Sequence, residues 1–263
     1  MTAVHHVPTF ATATIAIAGG TSGVGLATAK AFAAAGATKI ALIGRNEERG
    51  AAAREAVAVL SEECEVVFAS ADVNKVDDAR RAADTVSDRL GAIDILVNST
   101  VGKAVPALFH TMDPARIATD LNELILGPMM MCSAIVPQMR AKGGGVIINV
   151  ASDAAKVPTP GESVIGAGMA GIVMFTRTLA MEAKRDGIRV NALTPSLIEG
   201  TMTYDHVFRH EFSAKLFEKA AKMAALGLVQ PEDLAAAVLF LAGPQAARIT
   251  GQTISVNGGI SAA

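Results

Sequence analysis

The sequence of 263 residues contains no tryptophan, one tyrosine and two cysteines. No block of like charge interrupts it. Each shortage removes a class of function. Tyr204 is the single phenol, so any tyrosine-based proton transfer has one place to come from. Cys64 and Cys132 stand far apart without ligand spacing, which argues for buried free thiols in a reducing cytosol rather than a disulfide or a metal site. A formal net charge of −2 supplies no basic field for neutralising phosphates, so nucleic acid is not an expected partner. No uninterrupted apolar run approaches the ~18 to 20 residues that span a bilayer. Residues 1–12 carry His5 and His6 but lack the basic and apolar regions of a signal peptide. These absences point to a cytoplasmic protein with no membrane partner, in which residues 1–12 are an N-terminal extension. Apolar residues are what it has in quantity: 51% of the chain is hydrophobic and its mean hydropathy is +0.39. That suffices for one large core over residues 13–263, a size that α/β domains reach unsplit.

Short aliphatic segments alternate with amphipathic ones. Residues 14–18 read as a buried strand and 24–35 as an Ala-rich helix closed by Gly36, where a C-cap glycine belongs. The pair repeats at 39–43 and 47–60, at 65–69 and 76–90, and at 93–97 followed by a long helix through Arg140. It repeats again at 146–150 and 164–185, then at 189–193 and 232–241, with a last strand at 253–256. Continuous apolar strands between helices predict a parallel sheet covered on both faces, with a ligand crevice at the strand carboxyl ends. Residues 194–228 break the rhythm. With Pro195, Gly200, Tyr204, two histidines and several phenylalanines, they are expected to form a lid over that crevice.

The turn Gly19-Gly20-Thr21-Ser22-Gly23-Val24-Gly25 joins the first strand to the first helix. Gly19 permits a tight bend, Gly23 lets backbone approach a pyrophosphate, and Gly25 lets the helix pack close to the strand. The helix N-terminus then faces negative charge. Three glycines alone are a weak signal, but their place between strand and helix makes a dinucleotide site the expectation. At the end of the second strand, Gly44-Arg45-Asn46 puts a guanidinium where NAD sites usually place a carboxylate for the ribose 2′-hydroxyl. That favours NADP, although a solvated arginine opening a helix would look the same. Asp72-Val73 closes the third strand, where the carboxylate either meets the adenine amino group or caps the next helix.

Further pieces are Asn98 after the fourth strand, Asn149-Val150-Ala151-Ser152, Arg189-Val190-Asn191-Ala192 and Thr250-Gly251-Gln252-Thr253. Together with the glycine turn they resemble the short-chain dehydrogenase/reductase family over nearly the whole chain. The resemblance implies a single-domain Rossmann-type, doubly wound parallel sheet of about seven strands. It implies NADP or NAD held by Gly19, Thr21, Ser22, Gly23, Val24, Gly25, Arg45, Asn46, Asp72, Val73 and Asn98, and a small carbonyl or alcohol as substrate. It also implies a dimer or tetramer, of like or unlike family subunits, built through the fourth and fifth helices and the last strand.

The family's catalytic Ser is matched by Ser152, but its Tyr position falls on Ile165 and its Lys position on Met169. No shift of register restores the pair, because no lysine lies between Lys156 and Lys184. Hydride exchange at a carbinol carbon needs a proton moved on oxygen, and general acid–base help is worth roughly 10²- to 10⁴-fold. The position of the proton-relay Asn falls on Leu124, with Asn122 two residues away. Ser99-Thr100-Val101 and Pro195-Ser196 replace glycine-bearing loops near the nicotinamide, and both changes crowd it. Substitute acids within reach are Tyr204, His206, His210, Lys103 and Asp153, each with a plain alternative as a packing or solvated residue. His206 and His210 share a helix face but lack a third ligand, so no metal is expected. Met129-Met130-Met131 reads as adaptable core or interface.

Three functions remain open. The chain is a non-catalytic subunit beside an active family member; or an NADP(H)-dependent alcohol dehydrogenase or carbonyl reductase whose proton donor, with Tyr204 first in line, has moved to the lid; or a non-redox enzyme or ligand sensor using the crevice.

Overall fold

The computed structural model describes residues 9–263; His5 and His6 lie outside them. Buried aliphatic runs form seven strands: β1 (Thr14–Ala18), β2 (Lys39–Gly44), β3 (Glu65–Ser70), β4 (Ile95–Asn98), β5 (Gly145–Val150), β6 (Ile188–Pro195) and β7 (Thr253–Val256). They pair in parallel in the order β3-β2-β1-β4-β5-β6-β7. The direction of winding reverses between β1 and β4, which is where a crevice opens in such sheets.

Alternation along each strand feeds two cores. Ile15 and Ile17 of β1 join one, and Ala16 and Ala18 join the other. The first core is closed by α1 (Gly23–Ala34), α2 (Glu47–Ala58) and α8 (Pro231–Ala242). The second is closed by α3 (Val76–Leu90), α4 (Pro114–Lys142) and α5 (Ser163–Ala183). By length and composition α4 and α5 could each cross a membrane. Here Met131, Ile135 and Met139 of α4 and Ala180 of α5 are buried against the sheet. Met130 packs beside them, so this methionine run is core on its inner side.

Two segments differ from expectation. Within residues 9–12 Phe10 sets its ring edge-on against Phe32 of α1, centroids 5.1 Å apart, so this part of the extension is packed. The irregular stretch begins after Pro195 rather than at Thr194, because Thr194 and Pro195 continue β6 by pairing with Ser255 and Val256. Beyond them come α6 (Met202–Phe208) and α7 (Glu211–Met223). Ser213 of α7 is fully buried and its hydroxyl donates to the Pro106 carbonyl at 3.2 Å, tying α7 to the loop after β4. At the other end of the sheet, Asn191 donates to the Ile249 carbonyl at 3.0 Å and accepts from the Gln252 amide at 3.0 Å, clamping β7. Arg189 beside it donates to the Ala242 and Ile249 carbonyls, and burial brings its guanidinium down to about 10.

Candidate active site

A cavity of about 330 Å³ lies at the strand carboxyl ends, lined from Gly19 after β1 to Pro195 of β6. One half is built by the glycine turn. Gly19 has φ +79°, and a Cβ there would stand 2.4 Å from the Ser99 carbonyl oxygen. A Cβ on Gly25 would stand 2.2 Å from the Gly19 oxygen, so these two positions exclude any side chain. Ser22 occupies the N-cap of α1 without using its side chain to cap, and the first turn carries no acid. The amides of that first turn have no side-chain cap, and Gly19, Thr21, Ser22, Gly23 and Val24 line the cavity, an arrangement receptive to a pyrophosphate. The residues present fit the phosphate part of a dinucleotide.

Arg45, Asp72 and Val73 line the same half. A second guanidinium, Arg49, joins them from the first turn of α2, its Nη1 3.1 Å from the Met202 sulfur of the lid. Asp72 does not cap α3, whose N-cap is Lys75; its carboxylate accepts from the Asn74 amide at 3.3 Å. Three expected cofactor residues lie off the cavity wall. Gly25 serves packing. Asn46 caps α2, accepting from the Arg49 amide at 2.8 Å. Asn98 points into the sheet, donating to Asn149 Oδ1 at 2.8 Å, and Asn149 donates to Thr176 at 2.8 Å.

The other half is the more apolar one. Leu124 and Met169 are buried and Ile165 is half-buried, and all three line the cavity. They pack with Ala151, Ile172 and Val173 into an apolar cluster separate from the two large cores. The register of α4 is thereby settled: Leu124 faces inward and Asn122 is exposed. Ser152 lines the cavity while its Oγ accepts from the Ala154 amide at 3.2 Å. Ser99, Thr100, Val101, Pro195 and Ser196 also reach the wall.

Of the substitute acids, Tyr204 lines the cavity, its ring 4.4 Å from that of Phe208. His206 and His210 meet each other edge-on at 5.4 Å away from it, and no metal-binding cluster exists among the described residues. Lys103 is exposed outside the cavity. Asp153 is buried and accepts from Ser255 at 3.2 Å, Ser261 at 2.7 Å and the Asn257 amide group. Sequence reasoning missed Glu162. It stands at the N-cap position of α5, one turn before Ile165, without a side-chain capping bond, and lines the cavity; burial raises its carboxyl above the ordinary value, partly offset by a hydrogen bond with Thr159. A carboxylate one helical turn ahead of the Tyr position was the available signal.

Comparison with known proteins agrees with this architecture. The family described as Enoyl-(Acyl carrier protein) reductase matches residues 18–261. The 3-oxoacyl-(acyl-carrier-protein) reductase FabG of Chlamydia pneumoniae is 35% identical over 251 residues, covering 94% of this chain and 96% of its own. The 3-ketoacyl-(acyl-carrier-protein) reductase of Brucella melitensis, solved with NADH, superposes with a TM-score of 0.82 at 27% identity over 95% of this chain and 98% of that one. A gluconate 5-dehydrogenase from Burkholderia cenocepacia, solved with NADP and tartrate, gives 0.84 at 28% identity over 94% of each chain. By fold and relatives, the chain belongs to the short-chain dehydrogenase/reductase family of oxidoreductases.

Proposed function

We propose that this chain binds NADP(H) but does not exchange hydride between carbonyl and alcohol at the rates of its Tyr–Lys relatives, and that it serves as a nucleotide-holding subunit beside an active family member. The observation that supports the reading is the apolar cluster of Leu124, Ile165 and Met169, positions that the family resemblance assigns to a proton relay, an acid and its cationic neighbour. One such replacement is a local change; three that pack on one another make a different pocket.

The turn amides and Ser22 would hold the pyrophosphate, and Arg45 with Arg49 a 2′-phosphate. When bound, the nucleotide supplies a hydride. The chain's own residues orient it and exclude water, but Ile165 and Met169 move no proton. The acyl-carrier-protein reductases among the relatives make a 3-oxoacyl thioester the first carbonyl to try.

Calorimetric titration with NADPH and NADH tests the binding, with NADPH expected to bind in the micromolar range. Arg45→Ala with Arg49→Ala should weaken NADPH by about tenfold or more and leave NADH nearly unchanged. Equal weakening of both would remove the arginines from 2′-phosphate recognition. For the chemistry, restoring the pair with Ile165→Tyr and Met169→Lys should raise thioester reduction by about 10²-fold or more over wild type. A wild-type rate equal to that of the restored variant would mean that the proton comes from elsewhere, with Tyr204→Phe the variant to examine next, since Tyr204 lines the cavity.

A further inference from the structure

We propose that Glu162 anchors a second ligand in the crevice, one with an apolar body and a cationic nitrogen, a protonated amine or an iminium. The proposal deepens the reading above, because this ligand would share the crevice with the nucleotide.

The ionisable groups on the cavity wall divide by location. Arg45, Arg49 and Asp72 belong to the nucleotide end, and Asp153 is taken up by Ser255, Asn257 and Ser261. Glu162 is the carboxylate left to the reacting half, and no ion pair among the described residues includes it. Thr159 bonds its carboxyl, and the same wall carries the apolar Leu124, Ile165 and Met169. A neutral ligand in that setting would strip water from the carboxylate without replacing it, whereas a cation compensates the loss. Tyr204 and Phe217 line the same cavity, and aromatic faces attract cations. In a chain whose aromatic content is 4%, two rings and one carboxylate outside any described ion pair on one pocket form a specific combination.

The same ligand class accounts for the missing acid. A carbonyl must receive a proton on oxygen as hydride reaches carbon. An iminium already carries its positive charge on nitrogen. With NAD(P)H as the reductant, hydride forms the new C–H bond at the iminium carbon, the C=N π pair becomes the nitrogen lone pair, and NAD(P)⁺ and a neutral amine leave. No proton crosses the positions now held by Ile165 and Met169.

Two probes of similar size separate the alternatives: the 2-methyl-3,4-dihydroisoquinolinium cation and neutral 1-tetralone. Calorimetry on the wild-type protein, with and without NADPH, should show the cation binding at least about tenfold tighter than the ketone. Glu162→Gln should abolish that preference while leaving the affinity for NADPH unchanged, which also shows that the variant folds. Equal wild-type affinities for the two probes would overturn the proposal without recourse to any variant, as would a preference that survives Glu162→Gln. Cation preference in a protein that fails to bind NADPH would uphold the Glu162 site and remove the nucleotide reading instead.

Discussion

At the scale of single residues, the positions that carry function are those whose surroundings oppose them. Burial raises the Glu162 carboxyl, so the folded chain holds that proton more tightly than the unfolded chain does. The resulting contribution to stability is complete below the ordinary carboxyl value of 4.5 and is lost as pH rises through the raised folded value. Glutamine has the same shape and no charge to bury. Glu162→Gln is therefore expected to melt higher than wild type at pH 7, with the two melting temperatures converging at pH 4. A variant that melts lower at pH 7 would show that the ionised carboxylate has a stabilising partner. Met169 illustrates the opposite case, since a thioether at 5% exposure among Leu124, Ile172 and Val173 satisfies its environment and asks nothing of a ligand.

At the scale of elements, the sheet was legible because both of its faces are covered, which makes each strand a continuous apolar run. Strand ends were less so. β4 starts at Ile95, where pairing with Ile15 and Val146 begins, although Ile93 already looks like strand from its side chain. The glycine turn was equally legible, since its demands are local. Asn98 was not: whether it turns to the crevice or to the sheet depends on Asn149, 51 residues away, and on Thr176 behind that. Arg49 and Glu162 escaped for a related reason, because a charged residue near a helix start looks solvated until the lid is placed over it. One buried side-chain bond joins α7 to the loop after β4. Ser213→Ala removes the buried hydroxyl that reaches Pro106, and should cost about 0.5 to 1.5 kcal/mol. Amide hydrogen exchange in α7 should quicken while the strands stay protected. Uniform quickening across the sheet would mean that lid and core open together.

At the scale of the whole molecule, the outer side of α5 is exposed. Ala167, Ala170, Met174 and Met181 lie on it exposed, the two methionines at 58% and 61%. Small residues let a second helix approach closely, and methionine adapts to whatever it meets, so the surface suits a helix from another subunit better than it suits water. The inner side of the same helix carries Met169 and begins at Glu162, which means that an assembly built here would steady the pocket from behind. We expect the chain to sediment as a dimer or larger, and Met174→Glu with Met181→Glu to weaken that association by about 100-fold or more, since two charges would have to be buried unpaired. The same variant should keep its NADPH affinity, because the nucleotide half of the cavity is built from β1, β2 and α1. If its sedimentation matches wild type, subunits meet through another face; if NADPH binding falls with assembly, the pocket is complete only in the oligomer, and mixing with an active family member should then restore it.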